Sequence, residues 1–284
     1  MTGFKIGGVP EHFNLPWRLA IEEGRFREAG IDLHWSDMGG GTGQMIRGLE
    51  TGSLDIAVLL TEGITKAILE GLKARIVQVY VVTPLHWGIH VPFHSEIHTV
   101  DHLKGKTFAI SREGSGSHLM TYVKASQEGW DTKQLKFNVV GDIYGGLWAL
   151  QNNEAQAFLW EKYTTFPYTE QGKCRYIDEV VTPWPCFVIA VREDIAENQP
   201  DLLKKICSIV NQKALEVKHD ENTVEIISWR YNLRSGQVQN WLIETDWNYD
   251  AIEYPLAFDQ VIRYLLKLNL LNAEQAEGWQ KKLF

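Results

Sequence analysis

The chain has 284 residues, enough for two compact units or one large one, and 44% are hydrophobic against 23% charged, which excludes a disordered or collagen-like chain. Its 28 lysines and arginines against 36 aspartates and glutamates leave a formal charge of −8, a balance that argues against a surface for a polyphosphate backbone, so no nucleic-acid partner is expected. Three cysteines, Cys174, Cys186 and Cys207, with no CxxC spacing, provide no disulfide framework and fit a reducing compartment. No apolar run reaches the roughly 20 residues that cross a bilayer, so no membrane insertion is expected. The opening Met1-Thr2-Gly3-Phe4-Lys5-Ile6 lacks the basic-then-apolar order of a secretory leader. The expected compartment is therefore the cytoplasm, or the periplasm if a leader has been removed.

Short β-rich runs alternate with helix-like stretches, the rhythm of an α/β fold with a parallel sheet covered by helices on both faces. Residues 4–9 read as a strand, 15–28 as a helix that Gly30 ends, 31–36 as the second strand and 44–50 as a helix after a glycine run. Residues 55–60 read as a fully buried strand, Thr61 starts a helix that Gly71 ends, and 75–82 alternate as a strand. Between 83 and 105, Pro84, Gly88, Pro92 and Gly105 interrupt two short β pieces, and a crossover into a second unit is placed there. The rhythm then repeats, with strands at 107–111, 136–140 and 155–160 and helices at 115–127 and 144–152. After Thr182-Pro183-Trp184-Pro185, residues 186–191 read as a buried strand returning the chain to the first unit. Helical periodicity fills 200–217, 221–231, 235–244 and 255–268.

Two crossings make a two-lobed molecule, each lobe a sheet flanked by helices, with the two crossover strands as its hinge. Lobe one takes residues 1–88 plus 187–284, and lobe two takes 89–186. Open α/β sheets bind ligands beyond the carboxyl ends of their strands, so the strand-to-helix loops are where function is to be sought, in a cleft that the two lobes enclose. The first loop, 8–14, offers His12 and Asn14. Gly40-Gly41-Thr42-Gly43 and Ser111 with Gly114-Ser115-Gly116-Ser117-His118 place backbone N–H groups and hydroxyls at helix starts, which suits an anion or polar oxygen. Tight turns with N-caps would use the same residues.

The series Leu15-Pro16-Trp17-Arg18-Leu19-Ala20, Glu23-Gly24-Arg25-Phe26, Gly30-Ile31-Asp32-Leu33, Gly41-Thr42-Gly43, Leu49, Gly52, Leu54 and Asp55-Ile56-Ala57 resembles the type II periplasmic-binding-protein family. The resemblance is to its alkanesulfonate, nitrate and thiamine-pyrimidine-precursor branch, and it runs over nearly the whole chain. A narrower similarity, to a cytosolic subgroup of bacteria and fungi, rests on Leu60-Thr61-Glu62-Gly63, Thr83-Pro84-Leu85, Trp87-Gly88-Ile89-His90 and Ser115-Gly116-Ser117-His118-Leu119-Met120. Phe158-Leu159-Trp160-Glu161-Lys162 and Pro183-Trp184-Pro185-Cys186-Phe187 complete it. The resemblance implies a protein that holds its ligand between the lobes and closes around it by a hinge motion. With the polar and aromatic loops above, the expected function is a solute-binding protein that captures a small polar, ring-containing or anionic metabolite, for delivery or sensing. A transporter permease is a further partner if the chain is exported. The alternative it leaves open is an enzyme of thiamine-pyrimidine or related metabolism on the same scaffold.

Thr61 and Glu62 stand at a strand end of lobe one and Glu161 at the corresponding end of lobe two, where two carboxylates suit a ligand with amino or ring N–H donors. Each glutamate would equally stand in the first turn of a helix, stabilised by its dipole. Trp160 or Trp184 would stack on a flat ring, and Trp87 and His90 complete the expected ligand-binding set.

His86, His90, His94, His98 and His102 recur every fourth residue, but Pro84, Gly88 and Pro92 forbid the helix that would gather them, so no metal site is expected. Residues 114–118 are not a GxSxG elbow, because His118 replaces its last glycine, and Ser117 and His118 would point about 100° apart on a helix. The glycine runs match neither GxGxxG nor GxxxxGK. No catalytic residue and no cofactor are assigned.

Overall fold

The structure, a computed structural model, describes residues 3–251, 253 and 255–284; residues 1, 2, 252 and 254 of the expected first lobe lie outside the described residues. In chain order the elements are β1 (Gly3–Gly8), α1 (Leu15–Glu22), α2 (Arg25–Glu28), β2 (Asp32–Asp37), α3 (Gly41–Thr51), β3 (Ile56–Leu60), α4 (Thr61–Leu69) and β4 (Ala74–Val81). There follow β5 (His86–Val91), β6 (Thr107–Ile110), α5 (Gly116–Gln127), β7 (Lys136–Val139), α6 (Ile143–Gln151), β8 (Ala157–Glu161), α7 (Lys162–Glu170), β9 (Arg175–Val181) and β10 (Phe187–Arg192). The remainder is helical: α8 (Glu193–Asn198), α9 (Pro200–His219), α10 (Thr223–Tyr231), α11 (Ser235–Glu244), α12 (Pro255–Lys267), α13 (Ala273–Ala276) and α14 (Trp279–Leu283).

The helix expected over 15–28 is two helices, because Gly24 adopts φ +79° and turns the chain between them. Only one strand, β5, occupies 83–105, followed by a 3-10 turn at Val100–Leu103. The expected elements do not include α7 or β9, while α8, α13 and α14 fall in the stretch from about 194 onward that reads as helical without being marked off as separate helices. Helix α7 carries Pro167 in its interior, and β9 is an edge strand in which the adjacent Asp178 and Glu179 interrupt any apolar alternation.

The chain divides into one unit formed by the residues up to Pro84 with Pro183–Phe284, and a second formed by Leu85–Thr182. The first holds a sheet of order β2-β1-β3-β10-β4, with β1 parallel to β2 and β3. The second holds a sheet of order β7-β6-β8-β5-β9, with β6 parallel to β7 and β8. Neither sheet is purely parallel as expected: β10 runs antiparallel to β3 and β4, and β5 antiparallel to β8 and β9. The reason is the point of entry. Phe187 pairs with Leu60 and Val81, and Trp87 with Glu161 and Val180, so each strand begins where its neighbours finish and must run back against them.

All five residues of β3 are buried, as befits a central strand covered on both faces. Much of the high tryptophan content serves this first core: Trp17, Trp241 and Trp247 are fully enclosed, and Trp247 Nε1 and Tyr80 OH both donate to the Phe13 carbonyl, at 3.1 and 3.0 Å. In the second unit α6 lies close on the sheet at Gly146, where a methyl group would stand 2.4 Å from the Phe158 ring.

Candidate functional site

In the first unit, the turn after β1 folds into a 3-10 helix over His12–Asn14. Asn14 Nδ2 donates to Val9 O at 2.8 Å, which fixes the amide orientation and leaves Oδ1 buried without a protein partner. Gly8 permits this close approach, since a Cβ there would lie 2.5 Å from Trp35 and 2.8 Å from Asn14 Nδ2. His12 is enclosed by Phe13, stacked at 4.9 Å, and by the edge of Trp241 at 4.2 Å. Burial pushes its imidazole down to about 3, so it is neutral at physiological pH, and its Nε2 has no protein partner.

Gly41 opens α3 at φ +63°, and Thr42 Oγ1 accepts the Leu60 N–H at 3.3 Å, fastening the end of β3. Thr61 Oγ1 donates to Pro185 O at 2.5 Å. One residue on, Glu62 is 2% exposed; its Oε2 accepts the Trp184 Nε1–H at 2.9 Å and its Oε1 has no protein partner. Burial raises its carboxyl to about 7, against the pull of its own backbone N–H and the Trp184 indole. The structure thus brings Glu62 and Trp184 together from positions 122 apart in sequence. Trp184 is itself buried, with its ring edge-on to Tyr264 at 5.5 Å.

In the second unit, Ser115 caps α5 through the His118 N–H, its Oγ lies 3.0 Å from Ser117 Oγ, and Ser117 Oγ accepts the Ser111 N–H at 3.0 Å. Gly116 is the first helical residue. His118 Nδ1 accepts the Gly114 N–H at 2.9 Å, which places the ring proton on Nε2, and burial lowers its pKa. These hydroxyls are therefore engaged in shaping the turn. Glu161 caps α7: its oxygens accept the N–H groups of Tyr163 at 3.1 Å and Thr164 at 2.6 Å. Burial raises its pKa against those hydrogen bonds.

Across from Glu161 in the β5–β8 register stands Trp87, buried, with Nε1 unpartnered by protein. On the opposite face of the same strands lie His90, Gly88 and Trp160. His90 Nδ1 lies 3.3 Å from Phe158 O, and burial lowers the ring to about 4. Trp160, half-buried, packs against Phe158 at 5.3 Å and sits opposite Gly88. A methyl group on Gly88 would meet His90 Cε1 at 2.7 Å and Tyr176 Cδ2 at 3.2 Å. Gly88→Ala is accordingly expected to destabilise the protein by about 1–3 kcal/mol through overpacking. Urea unfolding that matches the parent would show that the His90 ring has room to move.

A charged cluster that the sequence reading missed lies beside this group. Glu179 lies 3.2 Å from His86 Nδ1, 3.0 Å from Lys162 Nζ and 3.1 Å from the Tyr176 hydroxyl. Burial works to raise Glu179, but Lys162 and His86 hold it below the usual carboxylate range. Recognising β9 as a strand would have exposed it, since Glu179 falls opposite Gly88 in that register. Of the other histidines in the four-residue series, His98 lies 3.2 Å from Arg175 and its N–H donates to His102 Nδ1. Among the described residues no group of three or more His, Cys, Asp or Glu could hold a metal ion, and no helix is long and apolar enough to cross a membrane. A cavity of about 970 Å³ in the first unit lies elsewhere, between β4 and α9, bordered by Ile76, Gln78, Leu203, Cys207 and Phe284, and includes none of the residues singled out from the sequence.

Both units carry their sequence-indicated residues on loops at the carboxyl ends of parallel strands, or on the antiparallel strand beside them. The fold is that of the type II periplasmic binding proteins: the Candida albicans CA3427 gene product, which exhibits the generic periplasmic binding protein fold, superposes with a TM-score of 0.90 at 23% identity over 99% of this chain and 95% of that one. The alkanesulfonate-binding protein SsuA from Xanthomonas axonopodis pv. citri, bound to MOPS, gives 0.79 at 16% identity over 100% and 98%. The nitrate-binding protein NrtA from Synechocystis PCC 6803 gives 0.76 at 15% over 99% and 86%. Within the chain, residues 87–180 match the family model described as Ca3427-like PBP, so this segment is similar to that family of binding proteins. No curated protein matches the chain.

Proposed function

We propose that the protein is a solute-binding protein that takes up a small polar metabolite on its strand-end loops, for delivery or sensing. The observation that carries this reading is a set of buried polar atoms without protein partners on those loops and strands: Asn14 Oδ1 and Glu62 Oε1 in the first unit and Trp87 Nε1 in the second. Buried polar groups are nearly always hydrogen-bonded, and leaving one unpaired costs about 1–3 kcal/mol, so a polar ligand that completes the pairing accounts for these strand-end atoms. The relatives of known ligand, an alkanesulfonate-binding and a nitrate-binding protein, support a small polar solute as the cargo class.

Mass spectrometry of small molecules released from the purified protein, followed by a thermal-shift assay with the molecule found, tests this directly. A solute recovered unchanged that raises the melting temperature supports binding. A solute recovered chemically altered after incubation would replace this reading with an enzyme of the alternative class. Trp160→Ala should lower affinity for that solute by about 1–3 kcal/mol with the fold retained, measured by calorimetric titration. A variant that unfolds would assign Trp160 to the core with Phe158.

A further inference from the structure

Two of the three strand-end atoms of the first unit that lack protein partners, Asn14 Oδ1 and Glu62 Oε1, are acceptors. Asn14 spends its N–H on Val9 O and keeps an acceptor; Glu62 uses one oxygen on Trp184 and keeps the other; His12 keeps a neutral ring nitrogen. Asn14 and Glu62 follow β1 and β3, which are neighbours in the sheet, with Gly8 paired to Val58. A carboxylate is the strongest acceptor of the set, and a bond to a charged N–H donor is about twice as strong as a neutral one. Resting on the solute-binding reading above, we infer that the solute carries a protonated or amidine-type nitrogen whose N–H groups Glu62 Oε1 receives, rather than the oxyanion carried by alkanesulfonates and nitrate.

The local chemistry explains why the carboxyl is left this way. Only its own backbone N–H and the Trp184 indole bear on its charged form, and burial outweighs both, so the group keeps a proton until the pH nears 7. An incoming cation supplies the counter-charge that the protein omits. Trp184 holds the carboxyl plane, because its N–H fixes Oε2 and leaves Oε1 to the guest.

The test compares three ring probes of one shape, benzamidine, benzamide and benzenesulfonate, by calorimetric titration into the intact protein at millimolar concentration. Benzamidine is expected to bind at least tenfold more tightly than the other two, and Glu62→Gln should abolish that preference. Should Glu62→Gln fail to fold, the parent protein serves instead: benzamidine stays protonated, so its affinity should rise about tenfold between pH 6 and pH 8 as Glu62 ionises. A preference for benzenesulfonate, or a benzamidine preference unchanged by both the substitution and pH, overturns the inference while leaving solute binding intact. Absence of binding by all three probes, together with no co-purifying solute, overturns the solute-binding reading as well.

Discussion

Replacing Glu62 with glutamine should stabilise the protein by about 3 kcal/mol at pH 8, and most of that gain should vanish by pH 5. Burial raises the Glu62 carboxyl from 4.5 to about 7 in the folded protein. Between those values the folded state holds a proton that the unfolded chain has released, so the group's stabilising contribution is complete below about pH 4.5 and is lost as pH rises through 7. A difference of this size corresponds to the free energy of forcing a carboxylate into a buried site that offers its own backbone N–H and one indole N–H. Glutamine carries no charge and still accepts the Trp184 N–H through its amide oxygen. Urea unfolding of both proteins at pH 5 and pH 8 measures the effect; equal differences at the two pH values would show that Glu62 ionises freely. The same substitution is expected to weaken solute binding, so stability and affinity should move in opposite directions, as they do where a protein keeps a destabilised group for function.

How much of this was legible beforehand follows from the range of the interactions. The βα rhythm and the glycine ends of helices are local patterns, and most of those element ends were read to within a residue or two. The lobe boundaries, expected at 88/89 and 186/187, stand four residues from the division at 84/85 and 182/183. Gly24 was missed as a break because the apolar spacing of Leu15, Leu19 and Phe26 continues through it, and only its positive φ stops the helix. β9 was missed because Arg175 and the adjacent Asp178 and Glu179 leave no apolar alternation to mark a strand, and the His86–Lys162–Glu179 cluster disappeared with it. The antiparallel entry of β5 and β10 is a property of where the chain crosses, which no window of residues contains. At the candidate site, the strand-end positions of Thr61, Glu62 and Glu161 were readable from the rhythm. Their different hydrogen bonding was not: Glu161 satisfies itself on the two N–H groups that follow it, whereas Glu62 is held by an indole 122 residues away. The two glutamates stand differently in their helices, Glu161 as the N-cap of α7 and Glu62 in the first turn of α4, and so acquire different chemistry, one serving its own helix and the other retaining an acceptor.

Acid should expose the opposite linkage at His12. Burial lowers this imidazole from 6.5 to about 3, and no hydrogen bond rewards its charged form. As pH falls below 6.5 the unfolded chain takes up a proton that the folded protein refuses, so the stability associated with the neutral ring is present above 6.5 and is lost progressively toward 3. At pH 4.5 the loss amounts to about 3 kcal/mol from His12, and His90, lowered to about 4, adds a similar amount. Together these approach the whole stability of an ordinary domain, about 5–15 kcal/mol, so the protein should be markedly acid-labile. His12→Phe keeps an aromatic ring between Phe13 and Trp241 and removes the titration. The variant is expected to match or slightly exceed the parent at pH 7 and to exceed it by about 3 kcal/mol at pH 4.5, read from urea unfolding at the two pH values. A gain that is the same at both pH values would mean that His12 takes up its proton without resistance, through an opening of the aromatic cage around it.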